Sequence, residues 1–157
     1  SCRMRVSIIL YILVLLKTMS NIDSRTMWRL FGITLATLIV CDIPWVLINM
    51  RYGIYKNRVD GTVSHPAIML AIWLTILLGE AFLLSYIVST ARNWWTALLS
   101  GMFVGLVVYI TFNGTAIVCF RQWGWLPAIV DTVWGMTLLG MAAITAFTLT
   151  FGWTKTQ

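Results

Sequence analysis

Asp42, Glu80 and Asp131 are three of only five acidic residues in this chain, and each lies inside a long apolar run. Asn113 adds an amide to a further run. A charge at mid-membrane costs about 2.5 to 3.5 kcal/mol on insertion scales, so such groups face a bundle interior or water and find partners. No Lys or Arg lies within the same runs to pair with them. The acids therefore carry a proton, or they reach water, a bound cation, hydroxyl and indole donors, or the Arg51 and Arg121 ends. Such a layer can form a proton or cation site, or a polar pocket for a lipid headgroup. The alternative is that Asp42, Asn113 and Asp131 hydrogen-bond across helices, with Trp45, Tyr109, Thr111 and Trp134, and lock the bundle. Interhelical polar contacts average about 0.6 kcal/mol each, so they would specify packing more than supply stability. Glu80 stands apart, either facing the same interior at greater depth or pairing with a neighbouring protein.

Other chemistries find little material. Cys2, Cys41 and Cys119 are an odd number without C-x-x-C spacing, and His65 is the single histidine. Neither a disulfide framework nor a metal site is expected. A nucleophile beside a base, a metal cluster and a phosphate loop are all missing from the sequence, so no enzyme and no cofactor are expected. The one N-x-[ST] match, Asn113-Gly114-Thr115, falls in an apolar run and is not read as a glycosylation site.

The elements that must position the polar residues follow from composition. Of 157 residues, 60% are hydrophobic and 10% charged, against about 25% charged in soluble domains; mean hydropathy is +0.88. The chain reads as a single all-α, integral membrane unit. Its net charge of +6 comes from Lys and Arg outside the four long apolar runs. Those cations suit lipid headgroups, and no basic patch interleaved with exposed aromatics points to nucleic acid.

Four spans are expected: Leu30 to Met50, Ala67 to Thr90, Trp94 to Phe120 and Leu126 to Gly152. Pro66 opens the second in a position proline tolerates, and Ala91, Arg92 and Asn93 make a tight turn that sets spans two and three antiparallel. Pro44 is expected to kink the first span near Asp42. Gly101 and Gly105 form G-x-x-x-G on a face that continues through Tyr109 to Asn113. Asp131, Trp134, Gly135 and Leu138 share a face by helical spacing. Counted from the Arg51 side at 1.5 Å per residue, Asp131, Asn113 and Asp42 lie roughly 8, 10 and 12 Å deep, and Glu80 roughly 20 Å.

Trp28, Trp94, Trp95 and Trp153 would line one interface, and Tyr52, Tyr55, Trp123 and Trp125 the other; Trp73 reads as ordinary span packing. Residues 1–29 form an extension whose apolar run, Val6 to Leu16, spans roughly 17 Å as a helix. It reads as a short retained helix, embedded or interfacial, with a fifth crossing as the alternative. Residues 30–152 form the four-span domain and 153–157 a tail. Lys and Arg are nearly balanced across the two sides, and Arg3 and Arg5 tip the termini towards the cytoplasm.

The run YITFNGTAIVCFRQWGWLPAIVDTVWG, residues 109–135, with D-x-x-W at Asp42 to Trp45, resembles the membrane proteins catalogued as domain of unknown function 2177. The resemblance covers about residues 30 to 152. Members look like a D-x-x-W in the first span, Y-x-T-[YF]-[DN]-x-T-N in the third and D-x-x-W-G in the fourth. Tyr109, Thr111, Phe112, Asn113 and Thr115 match, then Asp131, Trp134 and Gly135; Asn113 stands where many members have Asp, and Ala116 where they have Asn. The sequence looks closer to members from large DNA viruses than to bacterial ones. The resemblance implies a fold class and no established activity.

Two roles stand out. One is a structural or accessory protein in a larger membrane-associated assembly, such as a virion's internal membrane, with capsid or complex subunits as partners beside the bilayer. The other is a transporter or channel-like protein that moves protons or a small cation past Asp42, Asn113 and Asp131, as a homo-oligomer formed through the Gly101 and Gly105 face or elsewhere. A lipid enzyme or enzyme accessory ranks third.

Overall fold

The computed structural model describes residues 23–53, 65–120 and 123–153. The apolar run at residues 6–16, Tyr55 and Arg121 lie outside them. Among the described residues four α-helices follow one another: α1 (Ser24–Arg51), α2 (Pro66–Thr90), α3 (Trp94–Cys119) and α4 (Trp125–Phe151). The shortest has 25 residues and is about 37 Å long at 1.5 Å per residue, enough for a hydrocarbon core of about 30 Å. All four are long and apolar enough to cross a membrane. Their limits sit close to the charge-free runs, because the bilayer class of sequence marks its own ends with polar and aromatic residues.

Local chemistry fixes the ends. Asp23 caps α1 by accepting from the Thr26 N–H at 3.3 Å. Asn93 and Thr96 form a reciprocal capping box at the start of α3, which holds the three-residue connection after α2 tight. Gly152 ends α4 with φ at 79°, a backbone conformation that glycine adopts without a Cβ clash. Pro44 sits within α1, which continues on both sides of it.

The helices expose apolar side chains to the outside and hold several polar ones within a largely apolar core. Val40, Leu47, Ile48, Phe103, Val118 and Ile129 face outwards, while Asp42, Asn49, Glu80, Asn113 and Asp131 are buried. On α2 the inward stripe is Leu77, Glu80, Ala81, Leu84, Ser85 and Val88, alternating steps of three and one as one helix face requires. Before Leu77 the helix is largely uncovered, with Ile68, Leu70, Ile72, Leu74 and Ile76 exposed.

α4 is the hub, touching all three other helices. Its inward face is Leu138, Leu139, Ala142, Ala143, Ala146 and Phe147, all fully buried. Its interface with α3 is the most extensive in the bundle. A Cβ on Gly101 would lie 2.5 Å from the Leu139 carbonyl oxygen, one on Gly105 would land on the Gly135 carbonyl, and one on Gly135 on the Tyr109 ring. Bare backbone is what allows the two helices to approach so closely. The Gly101 and Gly105 face is therefore covered by α4 of the same chain, which takes it away from the homo-oligomer contact considered above. Gly140 belongs to the same seam, its missing Cβ leaving room for Met102.

At the far end of the bundle the Arg29 guanidinium donates to the Leu149 carbonyl at 2.8 Å. The Trp94 N–H donates to the Trp153 carbonyl at 3.3 Å, and the two indoles meet edge to face. Trp28, Trp95, Trp125, Trp153 and Tyr52 are exposed, whereas Trp123 is buried. Trp123 thus leaves the interfacial belt expected of it for a position inside the protein.

Candidate functional site

The intramembrane polar residues resolve into two clusters and one isolated acid. The first cluster is centred on Asp42 of α1. Its Oδ2 accepts from the Trp73 indole N–H of α2 at 3.0 Å, and its Oδ1 accepts from the Trp134 indole N–H of α4 at 3.1 Å. An indole nitrogen can only donate and a carboxyl oxygen can accept, so the three groups match. The Trp134 ring also stacks on Trp45, centroids 4.4 Å apart and planes 9° from parallel. Trp45 enters through its ring face rather than its N–H, which is buried without a partner. One turn further along α1, Asn49 donates to the Trp45 carbonyl at 2.9 Å.

Asn113 of α3 is the centre of the second cluster. Its Nδ2 donates to Asp131 Oδ2 at 3.0 Å, to the Tyr109 carbonyl at 2.9 Å and to Thr132 Oγ1 at 3.3 Å. Its Oδ1 accepts from the Trp123 indole N–H at 3.0 Å. The amide orientation follows from the neighbours: the indole demands an acceptor and the Asp131 carboxyl a donor. Asn113 and Asp131 are 2% and 3% exposed, so the bond lies inside the α3–α4 seam, above the contact of Tyr109 with Gly135.

The expected layer is thus assembled only in part. Asn113 meets Asp131, while Asp42 takes its partners from Trp73 and Trp134. Tyr109 contributes a backbone carbonyl and a ring. Thr111 and Thr115 are exposed, and their hydroxyls donate to the Val107 and Thr111 carbonyls of their own helix. A two-residue step turns a helix by about 200°, which puts both on the side away from Asn113. Trp73 and Trp123, which sequence reasoning assigned to packing and to the interface, are direct donors, and Thr132 is a further partner of Asn113. Thr132 stands beside Asp131 in the sequence; nothing in the spacing distinguishes the two tryptophans from their neighbours.

Glu80 of α2 joins neither cluster. It is buried, and its Oε2 finds no hydrogen-bond partner. Among the described residues no group of three or more His, Cys, Asp or Glu side chains is arranged to hold a metal ion.

Residues 27–148, which carry both clusters and Glu80, match the family described as predicted membrane protein (DUF2177). The chain belongs to this family. No curated protein and no solved structure matches it. Membership of the DUF2177 family, together with four apolar helices, makes the chain an integral, multi-pass membrane protein in contact with the bilayer. For the DUF2177 motif residues the geometry gives separate tasks: Asp42 ties α1 to α2 and α4, Asn113 ties α3 to α4, and Gly135 admits the Tyr109 ring.

Proposed function

We propose that the chain is a structural or accessory protein of a larger membrane-associated assembly, such as the internal membrane of a virion, and not an enzyme. The observation that supports this reading is the engagement of the polar residues. Both oxygens of Asp42 are held by indole donors, and Asn113 bridges Asp131, Thr132 and Trp123. The residue types that could do chemistry act as cross-links between helices, each worth about 0.6 kcal/mol on average and at most about 1.7. They give the bundle one arrangement, which suits a rigid subunit. The virion setting draws on the likeness to family members of large DNA viruses. The test is the native mass of the protein extracted from its source in mild detergent, with co-purifying chains identified. A stoichiometric association with capsid or complex subunits is expected; a free monomer or a homo-oligomer alone overturns the reading.

A second reading, proton or small-cation transport, is favoured by one observation, the buried Glu80 oxygen without a partner. In vesicles, Asp42→Asn and Asp131→Asn separate the two readings. A proton leak abolished by variants that still assemble supports transport, whereas misassembly of both variants with no flux in the wild type supports the structural role.

A further inference from the structure

The two acids on the seam between α1 and α2 are treated very differently by their surroundings. Asp42 has a donor on each oxygen. Glu80 is 7% exposed, and its Oε2 is shut away from solvent with no donor. A buried charge without a counter-charge is among the costliest arrangements a protein can hold.

Among the described residues no Lys or Arg forms an ion pair or a hydrogen bond with Glu80. On α1, Arg25 lies about 14 Å along the helix from Thr34, Arg29 donates to the Leu149 carbonyl and Arg51 lies over the Tyr52 ring, while Asp42 is a second acid. α3 carries no charged residue, and the one on α4, Asp131, is an acid held by Asn113. Thr34 adds a second orphaned oxygen. It is fully buried and its hydroxyl has no partner, whereas Thr37, Thr75 and Thr148 all donate to carbonyls of their own helices. The Asp42–Trp73 bond sets the register of the antiparallel α1 and α2. From it, Thr34 lies about 12 Å along α1 and Glu80 about 10 Å along α2, so both stand at nearly the same level.

We propose that Glu80 is the ligand of an intramembrane site, lying between α1 and α2 at the level of Thr34, for one compact monovalent cation, a proton or a sodium ion. A single free carboxyl supplies one negative charge, which a monovalent cation neutralises and a divalent one would exceed. Leu38, Leu77, Ala81 and Leu84 are packed at 0 to 2% exposure around this level, which leaves no room for an organic cation. The site binds its cation whether or not the ion crosses the membrane, so it stands independently of the accessory role.

The test is carbodiimide labelling of the full-length protein in mild detergent, read residue by residue by mass spectrometry. Dicyclohexylcarbodiimide reacts with protonated carboxyls in apolar surroundings. In sodium-free buffer at acidic pH, Glu80 is expected to label and Glu80→Gln to lose that label. Adding sodium chloride, with choline chloride as the control, lowers Glu80 labelling at least about tenfold if the ligand is sodium. Raising the pH lowers it by the same order with no effect of sodium if the ligand is a proton. Glu80 labelled equally under all these conditions, or unlabelled at every pH without sodium, overturns the proposal. These wild-type curves decide the matter even if Glu80→Gln fails to fold.

Discussion

Gly105 and Gly114 lie on the same helix nine residues apart, and alanine at each asks opposite questions of the bundle. An alanine in a helix interior is favoured over glycine by about 0.5 to 1 kcal/mol through backbone entropy alone. At Gly114 nothing lies within 4 Å of the added methyl, so Gly114→Ala should keep that gain. At Gly105 the methyl would land on the Gly135 carbonyl and 2.8 Å from the Met136 Cα. Both obstacles are backbone, so no rotamer change relieves them and α4 must move away. Forcing a methyl into a filled seam costs about 1 to 3 kcal/mol. The two variants should therefore separate by about 1 to 3 kcal/mol, with Gly105→Ala the weaker. Reversible unfolding in mixed micelles, followed by circular dichroism and tryptophan fluorescence, measures the difference. Gly105→Ala as stable as Gly114→Ala would refute the α3–α4 seam. A Gly105→Ala protein that keeps its stability and loses a homodimer would show that this face joins separate chains.

The polar clusters carry their own expectations. Trp73→Phe and Trp134→Phe each keep a ring and delete one N–H to Asp42. Each should cost about 0.6 to 1.7 kcal/mol in the same unfolding assay, and most of that cost should vanish in an Asp42→Leu background, because the acceptor is gone. Additive losses in that double-mutant cycle refute the bonds. Asn113→Leu strips Trp123 and Asp131 of one partner each and should destabilise by about 1 to 3 kcal/mol, with Trp123 fluorescence shifting as its indole loses the amide. Thr111→Val, on the outward side, should change stability by less than about 0.5 kcal/mol; a loss as large as that of Asn113→Leu would return Thr111 to the polar layer.

The spans were legible because a bilayer imposes a simple grammar, in which charge-free runs end at aromatic and cationic residues. Ser24–Arg51 begins earlier than Leu30 because Asp23 caps a first turn and a half that carries Arg25 and Arg29, which composition alone reads as a flank. The G-x-x-x-G face was legible as a packing surface, but its partner was not, since small residues serve contacts within and between chains alike. The meeting of Asn113 with Asp131 could be anticipated from depth on two helices joined by a short turn. Asp42 could not be matched to Trp73 and Trp134 in that way. Tryptophan is common both at interfaces and inside membrane bundles, so its type does not reveal where its N–H points. Thr111 leaves the polar layer expected of it because the motif keeps it close to Asn113 in sequence while helical rotation separates the two in space.

The bonds to Asp42 also carry an order of events. Its donors lie 31 and 92 residues further along the chain, and helices enter the bilayer from the translocon in sequence. When α1 is released, its carboxylate has no donor. Trp73 supplies one when α2 follows, and the second arrives with α4. A nascent chain truncated before Trp134 therefore holds a half-satisfied acid in the membrane. Completion of α4 supplies the missing donor.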